Sequence, residues 1–204
     1  MRYFITAIDT NIGKTIVSAI LAKALNYPYW KPIQSGDLDS SDTMKILNLA
    51  PNIECYDEAY RLEFPLSPHE SARLSKVKLN LNEIKVPSKE NLIIEGAGGI
   101  MVPLNDNNLV IDIAKMANAE IILVIKHYLG SINHTLLSID YLQRNNYKIK
   151  GLIIVGDRLE SSERAIKEHT GLDILYNFEH SNVIDKNYID RQAIKIKNDF
   201  KRKR

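Results

Sequence analysis

Apolar residues along this chain follow two different spacings, and stretches of the two kinds alternate. Continuous apolar stretches are typical of strands buried on both faces. They occur at residues 3–8, 29–31, 91–95, 120–125 and 150–155. Apolar residues at helical spacing predict helices, which fall at residues 15–25, 132–142 and 162–169. Alternating strands and helices predict an α/β fold with a mostly parallel sheet and helices on both faces.

Residues 37–89 show neither spacing over any length. They contain four prolines, which are Pro51, Pro65, Pro68 and Pro87. Proline interrupts both helices and strands, so this stretch predicts two short helices and a loop on the ligand side of the sheet.

Charged residues follow the predicted strands at the point where each one ends. Asp9 follows the first strand, Lys31 ends the second, Glu95 ends the third, and Lys126 and His127 follow the fourth. In open parallel sheets, ligands bind outside the carboxyl ends of the strands. Several charges converging on that edge predict a charged ligand.

The loop after the first strand ends in Gly13-Lys14-Thr15, and a helix follows. This layout predicts a phosphate-binding loop, so the fold expected is a single-domain, P-loop NTPase-like one. Lys14 would reach the β- and γ-phosphates and the Thr15 hydroxyl would hold Mg²⁺. The generic motif places a glycine five residues before Gly13, where this chain has Ile8.

Four further segments add polar groups at the same edge. They are residues 31–36 (Lys-Pro-Ile-Gln-Ser-Gly), 40–43 (Ser-Ser-Asp-Thr), 95–99 (Glu-Gly-Ala-Gly-Gly) and 129–135 (Leu-Gly-Ser-Ile-Asn-His-Thr). Each has a structural interpretation as well. Ser41 or Asp42 could be a helix N-cap, Asn133 could cap the next helix, and the glycines could form a turn.

Together, in this order, these segments resemble the dethiobiotin synthetase family. That family has Gly-Thr-Asp-Thr-x-Val-Gly-Lys-Thr where residues 7–15 read Ala-Ile-Asp-Thr-Asn-Ile-Gly-Lys-Thr. Residues 31–36, 64–69 (Phe-Pro-Leu-Ser-Pro-His), 95–104 and 129–135 are similar to its other motifs. The resemblance spans residues 1–157.

The resemblance implies a definite reaction. One amine of 7,8-diaminopelargonate captures CO₂, supplied by bicarbonate, as a carbamate, and the carbamate attacks the γ-phosphate of ATP. The second amine then closes a cyclic urea and expels phosphate. Mg²⁺ would be the cofactor, and ATP the co-substrate.

The resemblance also implies a role for each matching residue. Lys14 and Lys31 would be catalytic, and Thr15, Asp42 and Glu95 would hold the metal. The nucleotide-binding set would be Asn11, Ile12, Gly13, Lys14, Thr15, Ile16, Asp42, Glu95, Gly96, Ala97, Gly98, Gly156 and Asp157. Substrate would contact Thr10, Ser35, Gly130, Ser131, Ile132 and Asn133. The last four would take the substrate carboxylate across a homodimer interface.

The chain departs from the family pattern at several positions. Ala7 and Ile8 stand where the family has glycine and threonine. Gly156 stands where the family often has a base-reading asparagine, and no base-side motif is recognisable at residues 175–179. GTP and CTP therefore remain alternatives to ATP.

Composition narrows the class of protein. A formal charge of +2 predicts no general attraction to nucleic acid or to a membrane surface. Cys55 is the one cysteine, which fits a reducing compartment. The first predicted strand begins at residue 3, where a signal peptide would lie, and no apolar run is long enough to span a bilayer. We therefore expect one cytoplasmic domain over residues 1–204. Residues 195–204 form a basic tail, interpreted as a solvated helix end.

Three other interpretations stay open. A partitioning-type ATPase switch shares the fold, but those proteins usually carry an extra lysine early in the loop, and residues 7–12 contain none. Amidotransferase synthetases related to the cobyrinate enzymes usually carry an added glutaminase domain, for which this chain is short. An inactive paralogue is the third, although Lys14, Thr15, Lys31, Asp42 and Glu95 are all present.

Overall fold

A computed structural model describes residues 1–179 and 181–202 of the chain. The strands are β1 (Arg2–Ala7), β2 (Tyr29–Trp30), β3 (Ile33–Ser35), β4 (Cys55–Tyr56), β5 (Tyr60–Leu62), β6 (Leu92–Gly99), β7 (Glu120–Ile125), β8 (Ile149–Val155) and β9 (Ile174–Phe178). The α-helices are α1 (Lys14–Leu25), α2 (Asp42–Leu49), α3 (Pro68–Leu74), α4 (Asp112–Met116), α5 (Ser131–Arg144), α6 (Glu160–Thr170) and α7 (Lys186–Arg202).

Seven of these strands form one sheet in the order β4-β2-β6-β1-β7-β8-β9, and each neighbouring pair is parallel. β3 and β5 form a separate two-stranded parallel sheet. The predicted parallel sheet is confirmed.

The sheet carries one apolar core on each face, because successive strand residues point to opposite sides. Ile5, Ile93, Ile122 and Ile153 pack on one face with residues of α1, α2 and α7. Phe4, Ile94, Leu123 and Ile154 pack on the other with residues of α3, α4, α5 and α6. The prediction of helices on both faces is therefore also confirmed.

The structure corrects several predicted boundaries. β6 runs four residues beyond Glu95 to Gly99, so Glu95 lies inside the strand instead of ending it. Its apolar run stops at Glu95, but backbone pairing with β1 continues as far as Gly99. Residues 37–89 contain the two predicted short helices, α2 and α3, and also the short strands β4 and β5.

The last two elements, β9 and α7, are absent from the predicted series. Residues 195–202 of the basic tail belong to α7, whereas Lys203 and Arg204 lie outside the described residues. Among the described residues no helix is both long and apolar enough to cross a membrane.

Candidate functional site

A cleft of about 800 Å³ opens at the carboxyl edge of the sheet. Most of the predicted site residues line it together. They are Thr10, Asn11, Gly13, Lys14, Thr15, Ile16, Lys31, Ser35, Asp42, Glu95, Ala97 and Gly98. This edge is where parallel sheets bind ligands, because strand ends and helix N-termini meet there.

The floor of the cleft is the loop between β1 and α1. Gly13 is the N-cap of α1 and has a φ of 111°, a conformation that favours glycine. No side chain caps this helix end, so the first backbone N–H groups of α1 are available to a phosphate. The Lys14 ammonium folds back over the loop and donates to the Asp9 carbonyl, 3.1 Å away.

The backbone of this loop does not require a glycine at residue 8, where the generic motif has one. Ala7 and Ile8 both lack the positive φ that would call for glycine. Ala7 ends β1, and Ile8 donates its backbone N–H to the Val124 carbonyl at 3.2 Å. Their backbone thus continues the sheet before the loop turns at Asn11 and Gly13, which both have positive φ.

Above the loop, one buried lysine joins two carboxylates. Lys31 Nζ lies 2.7 Å from Asp42 Oδ2 and 3.2 Å from Glu95 Oε1, and it also donates to the Gly96 carbonyl at 3.0 Å. The Thr15 hydroxyl donates to the same Glu95 Oε1 at 2.9 Å. A cation, two carboxylates and a hydroxyl therefore meet at one point of the cleft.

The charges in this group shift one another's pKa values. Burial, reinforced by the like charge of Lys31, lowers the pKa of Lys14 to about 8. Burial alone would lower the pKa of Lys31, but Glu95 and Asp42 outweigh it and raise that pKa. Burial opposes ionisation of Asp42 as well, yet Lys31 and Lys45 hold its pKa at about 2. The cleft thus keeps Lys31 cationic and Asp42 anionic at neutral pH.

The donor set suits a magnesium ion. Asp42, Glu95 and the Thr15 hydroxyl offer hard oxygen donors, which Mg²⁺ prefers. The described residues contain no group of three or more His, Cys, Asp or Glu side chains that could hold a metal by themselves. Mg²⁺ is usually bound by one or two carboxylates, with substrate phosphates and water completing its coordination shell.

Known proteins have sequences similar to this one over most of its length. A family model described as an AAA domain matches residues 1–187. The ATP-dependent dethiobiotin synthetase BioD of Cytophaga hutchinsonii is 45% identical over 199 residues, covering 96% of each chain. The ATP-dependent dethiobiotin synthetase BioD of Christiangramia forsetii is 43% identical over 198 residues. The match covers 96% of this chain and 95% of that protein.

This chain belongs to the dethiobiotin synthetase family.

Among solved structures, the cell division ATPase MinD of Pyrococcus furiosus is similar with a TM-score of 0.61 and 13% identity. The match covers 100% of this chain and 99% of that chain. At such low identity the likeness shows the fold alone.

Two further segments that resemble motifs of the dethiobiotin synthetase family also line the cleft. Ser35 lines the cleft, and its Oγ is buried without a hydrogen-bond partner among the described residues. Pro65, Leu66, Ser67 and Pro68 also line the cleft, and Ser67 is the N-cap of α3. Thr10 stands exposed at the loop, where its backbone N–H is held by Asp9 Oδ1 at 2.7 Å.

Other predicted site residues do not line the cleft. Ile12 is buried in the core beneath α1, and Gly96 contributes its carbonyl to Lys31 from inside β6. The remaining ones lie after β7 or after β8 and are Gly130, Ser131, Ile132, Asn133, Gly156 and Asp157.

The structural alternatives for two of the family motifs are resolved. Ser41 is the N-cap of α2, because its hydroxyl accepts from Met44 N at 3.3 Å. Asp42 is thereby free to pair with Lys31. Asn133 does not cap α5, whose N-cap is Gly130.

The end of β8 lies beside the phosphate loop. A side chain added at Gly13 would meet Val155 at 3.3 Å. Gly156 follows with a φ of 103° and open space where its side chain would be. Asn177 of β9 donates its side-chain amide to the Gly156 carbonyl at 2.8 Å. An asparagine side chain therefore lies next to Gly156, although residue 156 itself has none.

Sequence reasoning missed three polar residues of the site. Gln34 lines the cleft and accepts from the Asp42 backbone N–H at 3.1 Å. Lys45 lies 3.3 Å from Asp42 Oδ1, and its position three residues later on a helix was a usable signal. Tyr29 donates to Glu95 Oε2 at 3.0 Å from inside an apolar strand, where the sequence carries no such signal.

Proposed function

We propose that this protein is an ATP-dependent dethiobiotin synthetase. It would convert 7,8-diaminopelargonate and CO₂ to the cyclic urea dethiobiotin in biotin biosynthesis. The observation that carries the proposal is the buried Lys31, held by Asp42 and Glu95 beside a phosphate-binding loop in a chain of this family.

The chemistry brings two anions together. A carbamate oxygen attacks the γ-phosphorus, the bond to the β-phosphate oxygen breaks, and ADP leaves. The second amine then attacks the carbamoyl carbon, and phosphate leaves with the former carbamate oxygen. Fixed cations lower the barrier to the first step, because negative charge is concentrated in its transition state.

We assign Lys14 and Lys31 to that role. Lys14 belongs to the loop that would hold the phosphates, and Lys31 lines the same cleft. The like charge of Lys31 contributes to the lowered pKa of Lys14, which supports their closeness. A triphosphate and a carbamate between the two lysines would relieve this repulsion.

Thr15, Asp42 and Glu95 would hold the Mg²⁺, with the phosphates of the nucleotide. When bound, the ion would neutralise charge on the β- and γ-phosphates. The backbone of residues 11–16 and 96–98 would hold the phosphates. Thr10 and the unpartnered Ser35 hydroxyl would orient the diamine or its carbamate by hydrogen bonds.

The substrate carboxylate would be received by Gly130, Ser131, Ile132 and Asn133 of a second subunit. Their place outside the cleft of their own chain is compatible with that role. A homodimer, a cytoplasmic location and a single domain over residues 1–204 stay predictions. Gly156 and Asp157 would border the nucleotide base, and GTP and CTP remain alternatives to ATP.

The partitioning-type switch is the weaker candidate. The likeness to MinD shows the fold alone, and residues 7–12 contain no extra lysine of the kind those switches usually carry. The dethiobiotin synthetase of Cytophaga hutchinsonii is 45% identical over nearly the whole chain.

The test is phosphate release from Mg-ATP and bicarbonate, with and without 7,8-diaminopelargonate. The proposal predicts release that requires the diamine, and a cyclic urea product by mass spectrometry. Diamine-independent hydrolysis would favour a switch. No reaction with ATP, GTP or CTP would favour an inactive paralogue.

A further inference from the structure

Tyr29 is a buried tyrosine whose hydroxyl reaches the active-site carboxylate from behind. Its side chain is 0% exposed and packs in the apolar core beneath α1. The hydroxyl donates to Glu95 Oε2 at 3.0 Å, and Tyr29 is not among the residues that line the cleft.

The strand geometry explains why the two side chains meet. Tyr29 pairs with Ile93 across β2 and β6, and Glu95 lies two residues further along β6. Residues two apart on a strand point to the same face, so Glu95 shares the face of Ile93, which α1 covers. Tyr29 therefore approaches Glu95 along the sheet from the core side.

The two oxygens of Glu95 are divided between two sets of partners. Oε1 accepts from Thr15 at 2.9 Å and from Lys31 at 3.2 Å, on the cleft side. Oε2 accepts from Tyr29 alone among the hydrogen bonds of the described residues. The tyrosine thus fixes the rotation of the carboxylate and keeps Oε1 turned to the cleft.

A phenol hydroxyl is protonated throughout the neutral range, so the Tyr29 hydroxyl is a hydrogen-bond donor to Glu95 Oε2. A carboxylate that is a metal ligand is commonly oriented by a partner of this kind, and loss of the partner weakens metal binding.

We propose that Tyr29 is a positioning residue that orients Glu95 for the divalent cation. The inference rests on the proposed function, in which Glu95 is a ligand of Mg²⁺. Tyr29 does not line the cleft and contacts it only through Glu95.

The test measures metal binding without turnover. Binding of Mn²⁺, a paramagnetic substitute for Mg²⁺, is followed by electron paramagnetic resonance in the presence of ADP. Tyr29→Phe should raise the Kd for Mn²⁺ by about tenfold. Its Kd for ADP in EDTA should stay within about twofold of the parent value, since the phosphate loop is untouched.

Tyr147→Phe is the matched control. Tyr147 is also buried and also donates to a carboxylate, Asp112 Oδ1 at 2.8 Å, away from the cleft. This variant removes the same chemical group and should leave the Mn²⁺ affinity unchanged. Melting temperatures of both variants show that each is folded at the assay temperature, and Tyr29→Met provides a second apolar replacement.

Glu95→Gln separates the inference from the function on which it rests. If Glu95→Gln weakens Mn²⁺ binding and Tyr29→Phe does not, the inference on Tyr29 is wrong and the metal site stands. If Glu95→Gln has no effect, the metal role of Glu95 fails, and the inference fails with it. If Tyr29→Phe weakens ADP binding in EDTA as much as Mn²⁺ binding, Tyr29 is structural and the inference is overturned.

The double variant Tyr29→Phe/Glu95→Gln adds a direct check. If Tyr29 acts through Glu95, the double variant should bind Mn²⁺ no more weakly than Glu95→Gln alone. Additive losses would show that Tyr29 acts by another route.

Discussion

The central residue of the site is Lys31, a cation that is 4% exposed and lies between two carboxylates. A buried charge is stable when it is paired and hydrogen-bonded, and Lys31 has Asp42, Glu95 and the Gly96 carbonyl. Both carboxylates are also proposed metal ligands. Lys31 is therefore kept charged and in place by the same groups that would hold Mg²⁺.

Replacing Lys31 with alanine should reduce turnover far more than nucleotide binding. We expect kcat to fall by about 10²–10³-fold, since a charge partner of the transition state is lost. The Kd for Mg-ADP should change little, because the phosphate loop is intact. Steady-state kinetics and calorimetry measure the two quantities.

Lys45→Ala is the control for that experiment. Lys45 pairs with the same Asp42, but its side chain is 42% exposed. An exposed pair contributes little, so its loss should change kcat by less than about fivefold. Equal kcat values for Lys31→Ala and the parent protein would remove Lys31 from the mechanism.

The lowered pKa of Lys14 predicts a pH dependence of nucleotide affinity. Bound phosphates favour the charged lysine, whereas burial and the like charge of Lys31 lower the pKa of Lys14 to about 8. Above pH 8 the site must therefore take up a proton when ADP binds. The Kd for ADP in EDTA should rise by up to about tenfold per pH unit above 8.

Calorimetry at pH 7, 8 and 9 checks this expectation. Lys14→Arg serves as the control, since arginine stays charged over the whole range. The Kd of the Lys14→Arg variant for ADP should vary by less than about twofold between pH 7 and pH 9. A parent protein with the same Kd at all three pH values would contradict the assignment.

At the scale of elements, the phosphate loop and its helix were the most predictable part. The Gly-Lys-Thr sequence and the apolar spacing place the start of α1 to within one residue. Among the short strands, β2 was predicted to within one residue. The strands β3 to β5 were not predicted, because they have only two or three residues each and show no alternation. β6 was cut short because its last residues are glycines and alanine, which carry no apolar signal.

The sequence of helix α7 carries an apolar pattern that indicates a helix. Ile189, Ala193 and Ile196 recur at helical spacing and are buried against the face of α1. The basic residues that follow are typical of a solvated helix end and do not indicate this buried face. The Tyr29–Glu95 contact is different, because nothing in an apolar strand indicates that a hydroxyl reaches a distant carboxylate.

Gly36 connects β3 to a loop that lines the cleft. Its φ is 70°, and an added side-chain carbon would lie 2.5 Å from Pro65 Cα. Gly36→Ala should lower the free energy of unfolding by about 2–4 kcal/mol, from backbone strain and the clash together. Chemical denaturation followed by circular dichroism measures it.

Gly171→Ala is the control for backbone strain alone. Gly171 has nearly the same φ, 69°, but open space where the side chain would be. We expect a loss of about 1 kcal/mol. Equal losses in the two variants would show that Pro65 moves away easily and that this part of the cleft is not tightly packed.

At the scale of the whole molecule, the order of the strands in the sheet places the residues of the site close together. β1 lies at the centre of the sheet between β6 and β7, and β2 lies beside β6. This order brings Lys31, Glu95 and the phosphate loop together from distant parts of the chain. The alternation of strands and helices predicts a parallel sheet, but it does not specify the order of the strands, which depends on crossovers and packing.

The most direct test of the proposed reaction measures whether an oxygen atom of bicarbonate is transferred to the released phosphate. Bicarbonate labelled with ¹⁸O is supplied with Mg-ATP and 7,8-diaminopelargonate, and the released phosphate is analysed by mass spectrometry. If a carbamate oxygen attacks the γ-phosphorus, the phosphate should carry one ¹⁸O atom. Prior exchange of the label into water by carbonic anhydrase should abolish this signal. Phosphate released without ¹⁸O before such exchange would contradict the carbamate route and the function proposed for this site.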